Sequence, residues 1–467
     1  MSAGITAWGA YIPRHRIAPA VLAGRKPAEG APERSVAWAD EDSITMAVEA
    51  ARRCLAGKGR DGIGLVAFAS TTHPFEEKQA AALVSAVLGL PAAVRSVDIA
   101  HSLRAGAQAL ALASDAVRSG SVDQALVIVA DCRQGAPGSE LERSGGDAAV
   151  AFLLGRDGVV AELIATSQQT NEIIETWRRA GDRFTHGWED RFATQYGQLS
   201  PIIAAAKALP EAQSDRVWAF SASNSRSLGT VTKSLRASPV QASSQILAKV
   251  GFCGAAHAPL LLAAALDSAE APGEIALSVH GDGAEAQVWR VIAPRPATSV
   301  ADTLADREPI ASAAIWRAAR KLDITEYPAA DDQGIAATIH FRERAENNRL
   351  QGQRCTCGEP QFPKGRVCIR CGGKDQFTAE DFAETGGHLV TYTLDAFFPS
   401  PTPPTAVGIV QVAGGPRIYM QVTDLSGATP QLGMPLRFVF RRIHTVGLRP
   451  NYFWKAVPAV AREGAQA

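Results

Sequence analysis

Residues 124–155, QALVIVADCRQGAPGSELERSGGDAAVAFLLG, decide the predicted fold. Two apolar runs, Ala125–Ala130 and Ala148–Leu154, have the length and composition of buried β-strands. The alanine-rich run that precedes them, at residues 103–120, has the composition of a helix. Alternation of such strands and helices predicts an α/β layered domain.

The same alternation continues along the chain to about residue 295. Further candidate strands are Ile63–Ala69, Arg216–Phe220, Ile275–Val279 and Ala286–Val291. After Asp42, apolar residues recur at helical spacing from Ile44 to Leu55, and Gly57 follows as a stop signal. We also expect an amphipathic, aromatic helix over residues 175–192, ETWRRAGDRFTHGWEDRF, as a channel wall, a partner surface or an ordinary surface helix.

The length and charge of the chain limit the number of domains and the kinds of partner that we expect. The 467 residues are enough for two or three domains, and the 47 basic and 47 acidic side chains balance. Nothing in this balance points to a nucleic-acid partner. No apolar run is long enough to cross a membrane, and the start of the chain lacks a secretory signal pattern, so we expect a cytoplasmic protein without membrane contact.

Four of the seven cysteines lie close together in RCTCGEPQFPKGRVCIRCGG. Cys355 and Cys357 form a C-x-C pair, and Cys368 and Cys371 form a C-x-x-C pair ten residues later. Four thiolates on two short turns can surround one ion tetrahedrally, which predicts a closed, structural zinc site. A bound iron ion and four unrelated buried thiols are the alternatives.

The chain changes character after residue 295. Residues 296–350 mix prolines and charges with one amphipathic segment, Ile310–Leu322, and predict a connector with helical pieces. Five short β-rich runs then predict a small barrel: His388–Leu394, Ala406–Val412, Arg417–Val422, Leu436–Ile443 and Tyr452–Val457.

Residues 353–457 resemble the DUF35 family. The resemblance rests on QRCTCGEPQFPKGRVCIRCG, GHLVTYTLDA, TPPTAVGIVQVAGGPRIYMQVTD, LGMPLRFVFRR and YFWKAVP. It implies a zinc ribbon at residues 351–376 and an OB-fold at residues 377–460, in a family associated with thiolase-superfamily enzymes as partner subunits or fused domains. Four basic residues are candidate contacts for CoA phosphates or simply a solvated basic rim: Arg441, Arg442, Arg449 and Lys455.

Residues 1–295 resemble the hydroxymethylglutaryl-CoA synthase branch of the thiolase superfamily. Six motifs carry this resemblance in the expected order: GITAWGAYIPRHRI, DEDSITMAVEAARRCL, LRAGAQALALASDAVRSG, the stretch at residues 124–155, GFCGAAHAPLLLAAALD and HGDGAEAQVWRV. The resemblance implies a thiolase-like, duplicated, five-layered α/β fold that usually dimerises.

That family uses a cysteine, a glutamate and a histidine to form and condense an acyl-enzyme. The resemblance places Leu103 at the cysteine, Thr71 at the glutamate and Ser221 at the histidine. A later asparagine position falls at Phe252. A leucine cannot be acylated and a hydroxyl cannot replace a carboxylate base, so the resemblance implies a domain without the acyl-cysteine chemistry.

Other polar residues are candidates for a replacement chemistry, namely His101, Ser102, Cys253, His257 and Asp282. Ser102 beside His101 suggests a seryl nucleophile, and Cys253 and His257 would share a helical face. Asp282 is a candidate base in a GDG turn. With His73, the superfamily fold would gather several of these residues near one pocket. Each also has an ordinary structural interpretation.

Two functional hypotheses follow. The first is an accessory or scaffold component of a complex that forms or cleaves carbon–carbon bonds in acyl-CoA, acting as a homodimer, with a thiolase-type enzyme, or both. Its cofactors would be structural zinc and a CoA thioester as ligand or substrate. The alternative is an active acyltransferase, synthase or aldol-type lyase that uses the replacement residues. Single-stranded nucleic-acid binding by the OB-fold is disfavoured by the balanced charge.

Overall fold

A computed structural model of the chain describes residues 3–171, 173, 175–187, 190–295, 297, 299–320, 339, 342–398, 400, 402–446 and 449–459. The chain divides into two compact units, Met1–Trp316 and Arg317–Ala467. The finer boundaries at residues 295, 350 and 376 stay predictions. Of the predicted amphipathic segment Ile310–Leu322, a helix spans Ala313–Ala319, and residues 321–322 lie outside the described residues.

The first unit is built on one large sheet. Its strands are β1 Gly4–Tyr11, β2 His15–Ile17, β3 Arg34–Ser35, β4 Ile63–Ser70, β5 Arg95–Ala100, β6 Gln124–Asp131, β7 Ala148–Gly155, β8 Ala161–Thr170, β9 Thr176–Trp177, β10 His186–Gly187, β11 Arg216–Phe220, β12 Ser238–Pro239, β13 Gly273–His280, β14 Gly283–Val291 and β15 Glu308–Pro309. Ten of them pair in the order β12-β11-β13-β14-β8-β1-β7-β6-β4-β5. The six strands predicted from apolar runs, β4, β6, β7, β11, β13 and β14, are confirmed.

The first unit also contains helices, several of which pack against this sheet and the last of which extends into the second unit. They are α1 Pro19–Leu22, α2 Ser43–Cys54, α3 Ala80–Val87, α4 Ala105–Arg118, α5 Glu140–Ser144, α6 Asp190–Phe192, α7 Ser200–Lys207, α8 Ser225–Leu235, α9 Ser243–Lys249, α10 His257–Asp267, α11 Ser299–Ala305 and α12 Ala313–Ala319. The predicted helix after Asp42 begins as a capping box, because the Asp42 carboxylate accepts the Ile44 and Thr45 N–H groups at 3.0 Å and Thr45 Oγ1 accepts the Asp42 N–H at 2.9 Å.

The stretch at residues 124–155 forms the centre of the sheet. Val127 and Val129 in β6 pack with Leu110 of α4 and Leu261 of α10 in one core cluster. Successive strand residues point to opposite faces, and Leu126, on the other face of β6, is also fully buried. Burial on both faces explains why β6 is apolar from Ala125 to Ala130 instead of alternating.

The predicted helix over residues 175–192 is wrong. The segment begins as an antiparallel hairpin in which His186 of β10 pairs with Trp177 of β9. The reversal is local: Gly181 has a φ of 79°, and the Asp182 carboxylate accepts the Arg179 N–H at 3.0 Å. Among the described residues of this segment, which exclude 188 and 189, only Asp190–Phe192 is α-helical, and it leads into a π-helix over Ala193–Leu199.

The second unit contains a small sheet and a barrel. Its elements are α13 Arg344–Arg349, β16 Gln351–Cys355, β17 Pro360–Gln361, β18 Phe377–Asp381, β19 Gly387–Asp395, β20 Thr405–Val412, β21 Arg417–Val422, β22 Pro435–Val446 and β23 Arg449–Pro458. A three-stranded sheet has the order β17-β16-β18, and a closed barrel has the order β19-β20-β21-β23-β22. All five predicted barrel strands are confirmed. Within the described ranges, every helix is too short or too polar to cross a bilayer.

Candidate functional site

Leu103 lies just before α4. The sequence predicts that this leucine replaces the nucleophilic cysteine of the family. Its side chain is 7% exposed. Gly281, with a φ of 139°, packs directly on it, because a Cβ added to Gly281 would lie 3.1 Å from Leu103 Cβ and 2.9 Å from the Leu103 nitrogen. A buried hydrocarbon therefore occupies the position at which the sequence predicts a replaced nucleophile.

The polar neighbours of Leu103 join the start of α4 to the turn at residues 281–283. The Ser102 hydroxyl donates to the Gly281 carbonyl at 3.2 Å, and the Arg104 guanidinium donates to the carbonyls of Asp282 at 3.0 Å and Gln169 at 3.1 Å. His101 is exposed and has a left-handed φ of 70°. Ser102 thus directs its proton to a backbone carbonyl and not to a histidine base.

Thr71 follows β4 and belongs to a network around Asp131, at the end of β6. The fully buried Asp131 carboxylate accepts the Thr71 N–H at 2.7 Å and the Ala255 N–H at 2.8 Å. It also accepts the hydroxyls of Ser70 and Thr72 at 3.1 Å and of Thr71 at 2.9 Å. Five donors occupy this carboxylate, so it holds two loops together and has little capacity left for chemistry.

Two buried histidines, His257 and His280, contact the ring of Phe252. Its ring centroid lies 5.1 Å from that of His257 and 5.9 Å from that of His280, on which it stacks. Ser221 Oγ lies 3.1 Å from His280 Nδ1, and the Cys253 N–H donates to His257 Nδ1 at 3.4 Å. Burial lowers the pKa of His257 to about 3 and that of His280 to about 4, so both rings are neutral at pH 7.

Cys253 is the one candidate replacement thiol at this site. Its Sγ is fully buried and donates to the Gly251 carbonyl at 3.4 Å. Burial raises the pKa of this thiol well above its usual value. Because the thiolate is the nucleophilic form, the raised pKa and the burial of Cys253 disfavour a nucleophilic role and favour a structural one.

Glu175 lies at the edge of the same site and was not predicted. It is 4% exposed, and a Cβ added to Gly197 of the π-helix would lie 2.6 Å from its Oε2. Burial, followed by the charge of Asp282, raises the pKa of Glu175 to about 8, while the Arg133 guanidinium opposes this shift. Glu175 is therefore a protonated carboxyl at neutral pH.

These elements meet at one place in the first unit. A Cβ on Gly106 of α4 would lie 3.0 Å from the Ala255 carbonyl, and one on Gly254 would lie 2.8 Å from Arg133 Cδ. The structure thus gathers Leu103, Thr71, Ser221, Phe252, Cys253, His257 and Asp282, and adds Asp131, Arg133, Glu175 and His280. Of the added residues, only His280 had a sequence signal, because it immediately precedes the GDG turn.

The buried ionisable groups predict a stability maximum near pH 6.5. The folded pKa values of His257 and His280 lie below the ordinary 6.5, so the unfolded chain binds more protons and stability falls on acidification from pH 6.5 towards 4. Glu175 has the opposite effect, since its folded pKa of about 8 exceeds the ordinary 4.5 and stability falls as pH rises from 4.5 to 8. Each group contributes at most about 1.4 kcal/mol per pH unit.

Urea denaturation at pH values from 4.5 to 8 checks this prediction. Of these three groups, the two histidines outweigh the glutamate below pH 6.5, and the glutamate dominates above it. The raised pKa values of Asp267 and Glu285 add to the decline that Glu175 causes, and the lowered pKa of His73 adds to the decline on acidification. The Glu175→Gln variant should lose the decline between pH 6.5 and 8 and keep the acid-side decline. A wild-type stability that rises steadily up to pH 8 would contradict the assignment.

The four cysteines of the second unit converge. Their sulfurs all lie within 4.8 Å of one another, with 3.7 Å between Cys355 and Cys371 and 3.6 Å between Cys357 and Cys368. Four sulfurs bound at 2.3 Å around a tetrahedral ion would lie about 3.8 Å apart. The N–H groups of Cys371 and Arg370 lower the pKa of Cys368 and favour its thiolate, whereas Cys357, despite a hydrogen bond with the backbone of Glu359, has its pKa raised by burial and the three neighbouring thiols. The donor set fits one zinc ion.

Comparison with known proteins defines the class. A solved structure of HMG-CoA synthase complexed with CoA superposes with a TM-score of 0.62 at 20% identity, over 72% of this chain and 93% of that one. A solved 3-oxoacyl-(acyl carrier protein) synthase III from Pseudomonas aeruginosa gives a TM-score of 0.55 at 21% identity, over 62% of this chain and 98% of that one. The fold is thiolase-like.

Sequence similarity to curated relatives identifies the family within this thiolase-like class. The hydroxymethylglutaryl-CoA synthase of Methanopyrus kandleri is 32% identical over 306 residues, which are 62% of this chain and 87% of that protein. The chain belongs to the hydroxymethylglutaryl-CoA synthase family. The Pyrobaculum arsenaticum synthase is 36% identical over 222 residues, 45% of this chain, and the match spans only 63% of that relative. No family model matches the chain.

Proposed function

We propose that this chain is an acyl-CoA-handling accessory or scaffold component of a complex that forms or cleaves carbon–carbon bonds, and that it makes no acyl-enzyme of its own. The observation that carries the proposal is the buried Leu103 before α4, packed against Gly281. A helix N-terminus can stabilise a thiolate, but a leucine offers no atom to acylate.

The surroundings of Leu103 support this proposal. Phe252 fills the space between the two neutral histidines, and Ser221 is paired with His280. Cys253 is buried with a raised pKa. The replacements are thus mostly residues that fill and pack the site.

The acyl-CoA assignment rests on the family and on the related synthase solved with CoA. For the second unit we propose a DUF35-like zinc ribbon and OB-fold, with zinc held by Cys355, Cys357, Cys368 and Cys371. We further propose a homodimer or a complex with a thiolase-type enzyme that supplies the missing nucleophile. Four thiols that must stay reduced fit the cytoplasm.

Acetyl transfer tests the loss of the nucleophile. Incubated with acetyl-CoA, the wild-type chain should show no added acetyl group by intact mass spectrometry. The Leu103→Cys variant should gain one, because the smaller side chain fits and its thiol sits at the start of a helix. Leu103→Ser is the matched control and should remain unmodified.

Two outcomes would contradict the proposal. A wild-type acetyl adduct or turnover by the isolated chain would show an active enzyme. A Leu103→Cys variant that reacts with iodoacetamide but not with acetyl-CoA would show that CoA thioesters do not reach this position.

A second candidate, an aldol-type lyase, is favoured by one observation. Glu175 is buried and protonated at neutral pH, and the charge of Arg133 acts on both Glu175 and His280. A protonated carboxyl and a neutral imidazole can each transfer protons to or from a substrate without a nucleophile. Cleavage of a 3-hydroxyacyl-CoA by the isolated chain into acetyl-CoA and an aldehyde or ketone, lost in Glu175→Gln, would favour this function over the scaffold.

A further inference from the structure

The four cysteines of the second unit differ in their access to solvent. Cys355 and Cys368 are buried, at 3% and 2% exposure, whereas Cys357 and Cys371 are exposed. Each of the two sequence pairs thus has a buried first cysteine and an exposed second one. All seven cysteines lie in the described part of the chain, and only these two are exposed. A reagent in solution therefore meets the cluster at two defined sulfurs.

The turns that follow the exposed cysteines face open space. Gly358 follows Cys357 with a φ of 89°, and Gly372 follows Cys371 with a φ of 70°. A Cβ added to either glycine would meet no atom within 4 Å. A small oxidant can consequently approach both sulfurs, and both turns have room to shift when a sulfur changes partner.

Two sulfur–sulfur contacts join an exposed cysteine to a buried one. Cys357 Sγ lies 3.6 Å from Cys368 Sγ, and Cys371 Sγ lies 3.7 Å from Cys355 Sγ. Both contacts cross from one turn to the other. A disulfide bond is about 2.05 Å long, so each pair must close by roughly 1.6 Å, a movement that the open turns allow.

We propose that Cys357 and Cys371 are oxidation sites for hydrogen peroxide, and that their oxidation yields the disulfides Cys357–Cys368 and Cys355–Cys371 with loss of the bound zinc. Zinc ligation keeps the four sulfurs as thiolates, and oxidation selects thiolates that are accessible to solvent. The inference rests on the zinc site of the proposed function and is independent of the acyl-CoA role.

The reaction uses one peroxide for each disulfide. The exposed thiolate attacks a peroxide oxygen, the O–O bond breaks, and a sulfenic acid and a hydroxide form. The thiolate of the buried partner then attacks the sulfenic sulfur, and the S–O bond breaks with loss of a second hydroxide as the S–S bond forms. Each pair gives up two electrons. Because metal binding needs deprotonated cysteines, the two disulfides no longer hold zinc.

Zinc release and disulfide mapping on the full chain test the proposal. The zinc-containing wild type is treated with hydrogen peroxide, catalase removes the excess, and a chromogenic chelator measures the free zinc. We expect about one ion released per chain, with both disulfides formed, and reduction with dithiothreitol in the presence of zinc should reverse both changes. Trypsin cuts after Arg370 and separates Cys368 from Cys371, while fragmentation of the peptide that begins at Cys355 distinguishes it from Cys357.

Trapping with dimedone, which reacts with sulfenic acids, tests which sulfurs are attacked. Dimedone present during oxidation should label Cys357 and Cys371 severalfold more than Cys355 and Cys368. Cys132→Ser is the matched control, because it removes a half-buried cysteine of the first unit. That variant should release zinc at the wild-type rate.

The outcomes separate this proposal from the zinc site itself. Zinc that stays bound under peroxide, disulfides between other cysteines, or dimedone mainly on the buried pair would overturn the oxidation sites and leave the zinc site standing. Slower release from Cys132→Ser would also overturn them, since it would place the reactive thiol in the first unit. Protein that contains no zinc before oxidation would overturn the zinc site, and the oxidation sites with it.

Discussion

The Cys368→Ser variant is expected to contain almost no zinc, whereas the wild-type chain should carry about one ion per chain. Of the four cysteines, Cys368 has the environment that most clearly favours a metal-binding thiolate. It is 2% exposed, and the N–H groups of Arg370 and Cys371 point at its Sγ from 3.4 and 3.5 Å. A serine hydroxyl in its place is a poor ligand and leaves a three-sulfur site.

Loss of the ion should also unfold the region around it. The sheet β17-β16-β18 is short, and most residues between Cys355 and Cys371 are exposed or half-buried. A segment with so little core depends on its metal for folding. Limited proteolysis should therefore cut Cys368→Ser between residues 355 and 377, where the wild type resists.

Metal analysis by mass spectrometry after dialysis checks the stoichiometry. Cys132→Ser, which changes a half-buried cysteine of the first unit, is the matched control and should keep its zinc. Native protein without zinc, or Cys368→Ser with the wild-type amount, would contradict the site. Chelator treatment of the wild type should reproduce the proteolysis pattern of the variant.

The parts of the structure that sequence predicts well are governed by local patterns. β6 and β7 are continuous apolar runs, and α2 begins at a capping box that depends only on Asp42 and Thr45. The cysteine cluster is also local, because two short turns bring each pair together and 17 residues contain all four ligands. Such features need no knowledge of the tertiary fold.

The remaining features depend on long-range packing. Ser221 meets His280 because β11 and β13 pair in parallel, with Phe220 opposite Ser278, and no local pattern fixes that register. The hairpin in residues 175–192 was missed because the Gly181 turn outweighs the helical spacing of the aromatic residues. The burial of Glu175, which sets its pKa, likewise arises from packing against distant residues.

Asp131 illustrates how much such packing contributes, and its loss is the second large effect expected. Asp131→Ala removes the acceptor for two backbone N–H groups, those of half-buried Thr71 and buried Ala255, and for three hydroxyls. An unsatisfied buried donor costs about 1–3 kcal/mol. We therefore expect a loss of about 3–5 kcal/mol in the free energy of unfolding, measured by urea denaturation at pH 6.5.

Asp123→Ala is the matched control, since the Asp123 side chain is 89% exposed and its contact with Arg156 spans 3.8 Å. That variant should stay within about 0.5 kcal/mol of wild type. An Asp131→Ala protein that loses less than about 1 kcal/mol would contradict the structural role assigned to this carboxylate.

A double-mutant cycle with Gly254 tests the geometry of the network directly. Gly254 has a φ of 56°, and a Cβ at this position would lie 2.3 Å from Asp131 Oδ2. Gly254→Ala should therefore destabilise the wild type both by backbone strain and by displacing the carboxylate. In the Asp131→Ala background the clash with the carboxylate is gone, whereas the backbone strain and the 2.8 Å approach to Arg133 Cδ remain. The two costs should consequently add to more than the double variant shows, whereas strict additivity would mean that the carboxylate does not contact Gly254.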